Sequence, residues 1–324
     1  MHDDRKKKSV LVSICCMTYN HENFIKDCIE GLIKQKTDFD YEILIHEDAS
    51  RDNTSAVVRE YEKKYPELIK VIYQTENQFL KQHILSNLLL PMAKGKYIAL
   101  CEGDDYWNDS YKLQKQVDFL EANDDVVITG HDAFIINKKG EKIKDSKLPE
   151  IYKRDASGND LKKMFWILTL SMVFRNIPDV LTDFKEVRES KNGDSCLTSI
   201  LGNYGNFHYH EDINPAAYRL HQDGVWSVLA NEKKIKQHII TFKILLNFYR
   251  LKQDTEMVRF YKEKIDQKMI QRFDYAMNNS RLIRKTELFY KTLILNNNWK
   301  RRDRLVYLHK AYFKSLITSP RKTS

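Results

Sequence analysis

The sequence predicts an α/β fold with a mainly parallel sheet flanked by helices, followed by a helical C-terminal region. Four short apolar runs, typical of strands buried on both faces, occupy residues 10–17, 41–45, 69–73 and 97–101. Segments with helical spacing separate these runs, and such alternation indicates parallel strands joined by right-handed crossovers. Beyond Gly224 the chain contains no further glycine and keeps a helical spacing of apolar residues, which predicts the helical region.

The first three predicted helices lie between these strands. The first helix has an apolar face formed by Phe24, Cys28, Ile29, Leu32 and Ile33. The second begins after a cap at Ser50 or Asp52 and ends before Pro66, and the third surrounds residues 84–92. Farther along the chain we expect strands within 126–137, a tight turn at 138–141, a loop over 146–160, and a helix plus a strand within 161–175.

The composition is that of a globular protein. Hydrophobic residues make up 42% of the 324 residues and charged residues 31%. No apolar stretch reaches the roughly 18 residues that a membrane-spanning helix needs, and no signal-peptide-like apolar segment follows the charged N-terminus. The five cysteines include no C-x-x-C pair. We therefore expect a cytoplasmic protein with reduced, buried thiols.

Polar clusters follow three of the four predicted strands. They are residues 18–20, residues 47–48 and the acidic run at residues 102–105. Because ligands of parallel α/β sheets bind beyond the carboxyl ends of the strands, we expect these clusters to line one site. Crowded carboxylates repel one another unless a cation intervenes, and their oxygens suit Mg²⁺ or Mn²⁺ together with phosphate oxygens. A solvated acidic turn that caps a helix near Asp109 is the simpler alternative.

The motifs that are absent narrow the chemistry further. The sequence has no G-x-G-x-x-G after the first strand and no G-x-x-x-x-G-K-[ST], which argues against a dinucleotide fold and a P-loop. It also lacks the G-x-S-x-G of α/β-hydrolases. A phosphorylated ligand would therefore be held mainly through a metal ion.

The ordered set of strand ends resembles one known family. The segments that carry the resemblance are MTYN, EILIHEDASRDNT and KGKYIALCEGDDYW. They resemble the family-2 glycosyltransferases of the GT-A fold, which are inverting enzymes that use nucleotide-diphosphate sugars. The likeness covers residues 9–134 and resumes at 192–227. The forms EGDDYW and YRLHQDGVWS are similar to the subgroup of bacterial capsule and lipopolysaccharide assembly.

The resemblance implies roles for residues at the first strand ends. Thr18 and Tyr19 match the segment that holds the nucleotide base, and Asp48 matches the acidic residue that contacts uracil or ribose. Asp105 is assigned to the metal, Mg²⁺ or Mn²⁺, and Asp104 to the ribose or the diphosphate. Glu102 stands where many members have Asp. The metal would neutralise the charge that develops on the departing diphosphate.

The second half of the chain supplies the other matching residues. Asp194 matches the general base of an inverting transfer, although on local sequence alone it could simply cap the helix that follows. In the segment Tyr218 to His221, the resemblance assigns His221 to the metal and Arg219 to phosphate. Trp107 adjoins the acidic cluster and could contact the sugar or the acceptor, with burial in the core as its alternative. His208 and His210 alternate along a strand without a third ligand, so we predict no metal site there.

The basic charge is concentrated in the C-terminal region. Residues 231–324 hold 23 lysines and arginines against 8 aspartates and glutamates, a net charge of +15, whereas residues 1–230 carry −6. We predict a catalytic domain over 1–230 and a basic helical region over 231–324. The excess fits peripheral contact with the cytoplasmic face of the inner membrane, a partner, or oligomerisation; the alternative is the solvated face of a helical bundle. No nucleic-acid-binding module is recognised.

The resemblance implies an inverting glycosyltransferase. It would transfer sugar from a nucleotide-diphosphate sugar, a UDP sugar in particular, to a hydroxyl of a glycan or lipid-linked oligosaccharide in bacterial surface polysaccharide assembly. One alternative is a metal-dependent nucleotidyl- or phosphotransferase, which predicts a glycine-rich, lysine-bearing loop where residues 18–22 have none. The other is a non-catalytic nucleotide-sugar-binding protein, against which Asp105 and Asp194 argue jointly.

Overall fold

The computed structural model describes residues 9–79, 81–187, 190, 192–221 and 230–279. These residues separate into two compact units, of which the first holds the described residues up to 187 and 193–221. The second holds residues 190, 192 and 230–279. The predicted domain limits stay predictions. Residues 280–324 of the predicted basic helical region lie outside the described residues.

The elements of the first unit alternate much as the sequence predicts. Its strands are β1 Val12–Thr18, β2 Tyr41–Glu47, β3 Ile69–Tyr73, β4 Tyr97–Leu100, β5 Val126–Gly130, β6 Ala133–Asn137, β7 Lys142–Lys144, β8 Val173–Arg175, β9 Asn206–Tyr209 and β10 Ala216–Leu220. Its helices are α1 Ile25–Ile33, α2 Thr54–Lys64, α3 Leu90–Met92, α4 Lys112–Ala122, α5 Gly158–Lys162, α6 Pro178–Glu186 and α7 Gly193–Leu201. A π-helical turn, Leu85–Leu89, leads into α3, and 3₁₀ turns form at Glu150–Tyr152 and Thr169–Ser171.

The central sheet has seven strands in the order β3-β2-β1-β4-β8-β5-β9. All pairings are parallel except those of β8, which runs antiparallel to both β4 and β5. The predicted α/β fold with a mainly parallel sheet is therefore confirmed. Because β2, β1 and β4 are neighbours and parallel, their carboxyl ends meet at one edge. The reversed β8 brings its preceding turn, Thr169–Ser171, to that same edge.

The core forms where the sheet meets its flanking helices. β4 is buried along its whole length, and α1 buries an apolar face that includes Cys28 and Leu32. As expected, all five cysteines are buried and none is disulfide-bonded. A smaller sheet, β10-β6-β7, lies beside the acidic run, because Tyr106 forms a β-bridge with Ala217 of β10.

Helices α8 Asn231–Leu251 and α9 Thr255–Asn279 make up most of the second unit as described. Their apolar residues face one another: Tyr249 stacks on Tyr261 with ring centroids 5.7 Å apart, and Phe242 lies 6.0 Å from Tyr261. Packing of this kind supports the helical-bundle interpretation for residues 231–279. Among the described residues, no helix is both long enough and apolar enough to span a membrane.

Helix α4 begins at Lys112, three residues later than the sequence suggests. The Asp109 carboxylate accepts hydrogen bonds from the backbone N–H groups of Tyr111 and Asn214, which fixes a turn ahead of the helix. Lys112 is fully buried, with its Nζ 2.5 Å from Gln116 Oε1 and 4.1 Å from the centroid of the Trp107 ring. Burial lowers the pKa of Lys112 to about 7.

Lys112 predicts a pH dependence of stability. Between the folded pKa of about 7 and an unfolded value of about 10.4, the unfolded chain binds the extra proton, so stability should rise with pH by up to ~1.4 kcal/mol per unit. Lys112→Met should remove this rise, which urea unfolding at pH 7, 8 and 9 would measure. Replacing the exposed Lys26 by Met serves as the control and should preserve it. Equal slopes in Lys112→Met and the parent would contradict the prediction.

Candidate active site

The edge at which β2, β1 and β4 end is held together by backbone hydrogen bonds. The Asp48 N–H donates to the Thr18 carbonyl over 3.0 Å, and the Gly103 N–H donates to the Met17 carbonyl over 2.9 Å. The three polar clusters predicted from the sequence therefore lie side by side. A Cβ atom at Gly103 would stand 2.7 Å from Thr18 Oγ1 and 3.0 Å from His21 Nδ1, so only glycine permits this approach.

Asp104 lies between two imidazoles. Its Oδ2 is 3.0 Å from Nε2 of His221 and 4.0 Å from Nε2 of His21. Burial works to raise the pKa of Asp104, but the hydrogen bond from His221 and the nearby His21 lower it overall. One ligand atom from each of the three residues lies within 4.8 Å of the others, as binding of a single ion requires.

Glu102, Asp104 and Asp105 form a second group whose ligand atoms lie equally close together. Burial, with the negative charges of Asp104 and Asp194, raises the pKa of Glu102 to about 8. Burial and the same kind of repulsion raise the pKa of Asp105 well above its usual range. A divalent cation would relieve this repulsion, so the residues present fit a metal ion. The imidazoles of the first group, His21 and His221, suit Mn²⁺ better than Mg²⁺, which prefers oxygen ligands alone.

Asp104 and Asp105 have surroundings that the sequence did not predict. Asp105, rather than Asp104, is the more deeply buried, and its Oδ1 accepts the backbone N–H of Arg219 over 2.9 Å. Asp104 carries the carboxylate that both imidazoles face. Neighbouring side chains in an extended turn point in different directions, and local sequence could not show which one faces the histidines.

Arg219, assigned to phosphate from the resemblance, has internal partners in this structure. The Arg219 side chain is only 2% exposed. Its Nε donates to the Asp104 carbonyl and its Nη2 to Asp27 Oδ2, each over 3.0 Å, while the guanidinium lies 4.7 Å from the centroid of the Phe24 ring. These contacts hold the backbone of the acidic run in place, and the contact with phosphate stays a prediction.

We expect Arg219→Met to destabilise the first unit by about 2 kcal/mol or more, because buried acceptors lose a charged donor. Urea unfolding measures the change. Asp27→Asn is the comparison: Asp27 is 55% exposed, so weakening its ion pair should cost less than about 1 kcal/mol. An Arg219→Met variant as stable as the parent but deficient in nucleotide binding would restore the phosphate role.

Asp194 reaches the acidic run from helix α7. Its Oδ1 accepts the Ser195 N–H over 2.7 Å, and its Oδ2 lies 3.5 Å from the Thr169 hydroxyl in the turn ahead of β8. Burial raises the pKa of Asp194 against these hydrogen bonds, and its charge in turn raises the pKa of Glu102. A half-buried carboxylate with a raised pKa, near a metal-fitting cluster, has the properties of a general base.

The residues assigned to the nucleotide base occupy the β1 and β2 ends. Thr18 is buried, and its hydroxyl lies 3.3 Å from His21 Nδ1. Tyr19 follows it and is half-buried. Asp48 is buried, burial raises its pKa, and its Oδ1 accepts the Gln78 N–H over 2.7 Å. The structure brings these three residues together, and their contact with a base stays a prediction.

Trp107 has the surroundings of the alternative given for it, burial in the core. The indole is 3% exposed and belongs to the hydrophobic core, and its Nε1 donates to the Leu170 carbonyl over 2.7 Å. Contact of this ring with a sugar or an acceptor stays a prediction that the structure does not support. His208 and His210, which we did not predict as ligands, contact Phe119 and the carboxylates of Asp155 and Asp212.

Three residues near the acidic run were not assigned from the sequence: His21, Lys147 and Tyr218. His21 follows the TYN segment at a strand end, and that position was the available signal. Burial raises the pKa of Tyr218, and the negative charges of the acidic run and of Asp194 raise it further. Lys147 lies on a loop between β7 and α5, where the sequence offers no pattern that points to the site.

A mainly parallel α/β sheet with an acidic, metal-fitting edge and a nearby carboxylate fits the class of α/β transferases. The sequence profile of the family described as Glycosyl transferase family 2 matches residues 13–180. The chain belongs to this family, as the resemblance predicted. Its fold is the GT-A fold.

Relatives by sequence include both uncharacterised and named proteins. An uncharacterized Mycobacterium tuberculosis protein, Rv1520, is 32% identical over 225 residues, covering 66% of this chain and 60% of its own length. TuaG of Bacillus subtilis, whose name assigns it to teichuronic acid biosynthesis, is 34% identical over 110 residues, covering 34% of this chain and 42% of its own. The chain thus spans about three fifths of the length of the mycobacterial relatives it matches.

Solved structures show the same fold. S. aureus TarS 1–349, crystallised with UDP, has a TM-score of 0.64 at 16% identity, covering 94% of this chain and 89% of that one. The mannosyltransferase PcManGT of Pyrobaculum calidifontis, crystallised with GDP-Man and Mn²⁺, has a TM-score of 0.52 at 15% identity, covering 94% and 86%. At these identities the likeness establishes the fold alone.

Proposed function

We propose that this protein is an inverting glycosyltransferase that transfers a sugar from a nucleotide-diphosphate sugar to a hydroxyl of a glycan or lipid-linked acceptor. The observation that carries the proposal is the Asp104 carboxylate between His21 and His221, beside Glu102 and within the electrostatic reach of Asp194. A metal-fitting centre and a separate carboxylate are the two parts that such a transfer needs.

The metal side of the site would hold the donor. Asp104, His221 and His21 are the ligands that we propose for Mn²⁺, in place of Asp105. A bound divalent cation neutralises charge on a diphosphate leaving group. Asp105 accepts the Arg219 N–H and so holds β10 against the acidic run. His221 directly follows β10 and is positioned by it. Thr18, Tyr19 and Asp48 line the neighbouring strand ends, where we place the nucleoside.

Asp194 is the proposed base. Its carboxylate takes the proton of the acceptor hydroxyl while that oxygen forms a bond to the anomeric carbon. The bond from this carbon to the diphosphate oxygen breaks, the electron pair leaves with the diphosphate, and the configuration inverts. Its raised pKa makes the Asp194 carboxylate a stronger base than that of an exposed aspartate.

A role in surface polysaccharide assembly is the proposed setting, and a UDP sugar the proposed donor. Support comes from the names of similar proteins: TuaG is assigned to teichuronic acid biosynthesis, and TarS was crystallised with UDP and with UDP-GlcNAc. We keep the proposal that the basic region 231–324 contacts the cytoplasmic membrane face, with residues 280–324 outside the described part. Co-sedimentation with anionic vesicles at low and high salt tests it.

The transfer itself is tested by product analysis. The protein with Mn²⁺ is incubated with a panel of UDP and GDP sugars and oligosaccharide acceptors. A new glycosidic linkage of inverted anomeric configuration, with release of the nucleoside diphosphate, is the expected result. Release of pyrophosphate would favour the nucleotidyltransferase alternative, and nucleotide binding without turnover across the panel would favour a binding protein.

A further inference from the structure

The loop that carries Lys147 is fixed by a buried carboxylate. Asp132 Oδ1 accepts the backbone N–H groups of Ala133, Lys147 and Leu148 over 2.7, 3.2 and 3.0 Å. Its Oδ2 accepts the Ser146 hydroxyl over 2.5 Å. The Lys147 N–H also donates to the Ala133 carbonyl over 2.7 Å. Since these hydrogen bonds fix the backbone at residue 147, they also fix the point from which the Lys147 side chain extends.

The ammonium of Lys147 rests on an aromatic wall. Its Nζ lies 3.4 Å from the centroid of the Tyr218 ring and 6.0 Å from that of Trp166. Trp166 is 40% exposed, and Tyr152 packs against its edge at 5.7 Å. Cation–π contacts of this kind hold a cation in place without neutralising its charge.

The same ammonium lies within the electrostatic range of the acidic centre. Burial lowers the pKa of Lys147, while the negative charge of Asp105 acts to raise it. Tyr218, on which the ammonium rests, is itself within the field of Asp105, Glu102, Asp104 and Asp194. Among the residues that the structure describes, no carboxylate lies within 4.0 Å of Lys147 Nζ, whereas Lys115 and Lys153 of the same unit have such partners.

The orientation of β10 explains why this cation is available. Consecutive residues of a strand point to opposite faces, so Tyr218 and Arg219 lie on different sides of β10. The Arg219 guanidinium donates hydrogen bonds to Asp27 Oδ2 and to the Asp104 carbonyl. Lys147, packed on Tyr218, therefore supplies positive charge on the face of β10 that Arg219 does not reach.

We propose that Lys147 binds an oxyanion of the sugar donor in the active site. Two donor groups carry this chemistry: the diphosphate, which every nucleotide-diphosphate sugar has, and the carboxylate of an acidic sugar such as a uronic acid. The aromatic wall of Tyr218 and Trp166 places the sugar ring beside the ammonium. This inference rests on the proposed function, because it requires the acidic edge to be a donor site.

The test compares Lys147→Met, which keeps the length of the side chain, with the parent in the presence of Mn²⁺. Calorimetry measures the affinities for UDP, uridine, UDP-glucose and UDP-glucuronate, with GDP and guanosine as the second nucleotide pair. If Lys147 holds the diphosphate, the variant should lose about 10-fold or more in affinity for the diphosphates and nothing for the nucleosides. If it holds a sugar carboxylate, the loss should be confined to UDP-glucuronate.

Three further variants complete the design. Lys144→Met makes the same change of charge at an exposed position three residues away and should bind as the parent does. Lys147→Arg keeps the charge and should recover part of the affinity, which a purely structural role would not predict. Lys147→Gln replaces the methionine variant if thermal unfolding shows that the latter is not folded.

The outcomes are separable. Parental affinity of Lys147→Met or Lys147→Gln for UDP, GDP, UDP-glucose and UDP-glucuronate overturns the inference and leaves the proposed function intact. If the parent binds none of these nucleotides with Mn²⁺, the proposed function fails and the inference fails with it. A loss of affinity for the nucleosides equal to that for the diphosphates would also overturn the inference.

Discussion

Asp194→Asn is expected to lower sugar transfer by about 100-fold or more and to leave nucleotide binding unchanged. The amide has the shape of the carboxylate and can still accept the Ser195 N–H, so α7 should begin as it does in the parent. What it loses is the ability to take the proton from the acceptor hydroxyl. The measurements are the initial rate of nucleoside diphosphate release with acceptor and the calorimetric affinity for UDP with Mn²⁺.

A buried carboxylate elsewhere in the same unit provides the matched control. Asp183 in α6 is buried and lies 3.1 Å from the Tyr204 hydroxyl, away from the acidic run. Asp183→Asn makes the same chemical change and should retain near-parental turnover. If Asp194→Asn also turns over at the parental rate, Asp194 is a residue of the first helical turn and another group must accept the proton.

Asp104→Asn should abolish the Mn²⁺-dependent part of nucleotide binding, a loss of about 100-fold or more in affinity. The reason is geometric: Asp104 is the carboxylate that faces both His221 and His21, and an amide is a poor ligand for a divalent cation. Titration of UDP with and without Mn²⁺ isolates the metal-dependent term, and thermal unfolding reports whether the fold is retained.

Asp105→Asn is the comparison that decides between the two aspartates. Its amide oxygen can still accept the Arg219 N–H, so β10 should stay in place. Asp104, with the two imidazoles that it faces, is unchanged in this variant. We therefore expect a smaller loss of metal-dependent affinity than in Asp104→Asn. The reverse order would return the metal to Asp105.

Several features of the site could be predicted because they follow from local pattern and sheet geometry. The apolar runs that end at Met17, Ile45 and Cys101 indicated strands, and parallel pairing places such ends at one edge. The structure confirms the sheet, with the Asp48 N–H donating to the Thr18 carbonyl and the Gly103 N–H donating to the Met17 carbonyl. Asp194 lies near the same edge, as the family resemblance implied, and its role as the base stays a prediction.

Other features depend on contacts between distant parts of the chain. Arg219 meets the Asp104 carbonyl across 115 residues, and Trp107 meets the Leu170 carbonyl across 63. No local pattern states whether a guanidinium at a strand end will face a ligand or a carbonyl, nor whether an indole beside an acidic run will be enclosed. The surroundings of both side chains could not be predicted from the sequence for that reason.

The sequence by itself therefore determined the class of fold, the edge of the sheet that carries the chemistry and the residue types gathered there. Hydrophobic periodicity encodes these properties, and it acts over a few residues at a time. Only the tertiary structure decided which side chains of that edge face one another. The turn at Gly103 directs Asp104 toward His21 and His221 and Asp105 toward β10, and the Asp132 loop sets Lys147 on Tyr218. Such directions result from packing among segments that are distant along the chain, 114 residues for Asp105 and Arg219, which a local sequence pattern does not contain.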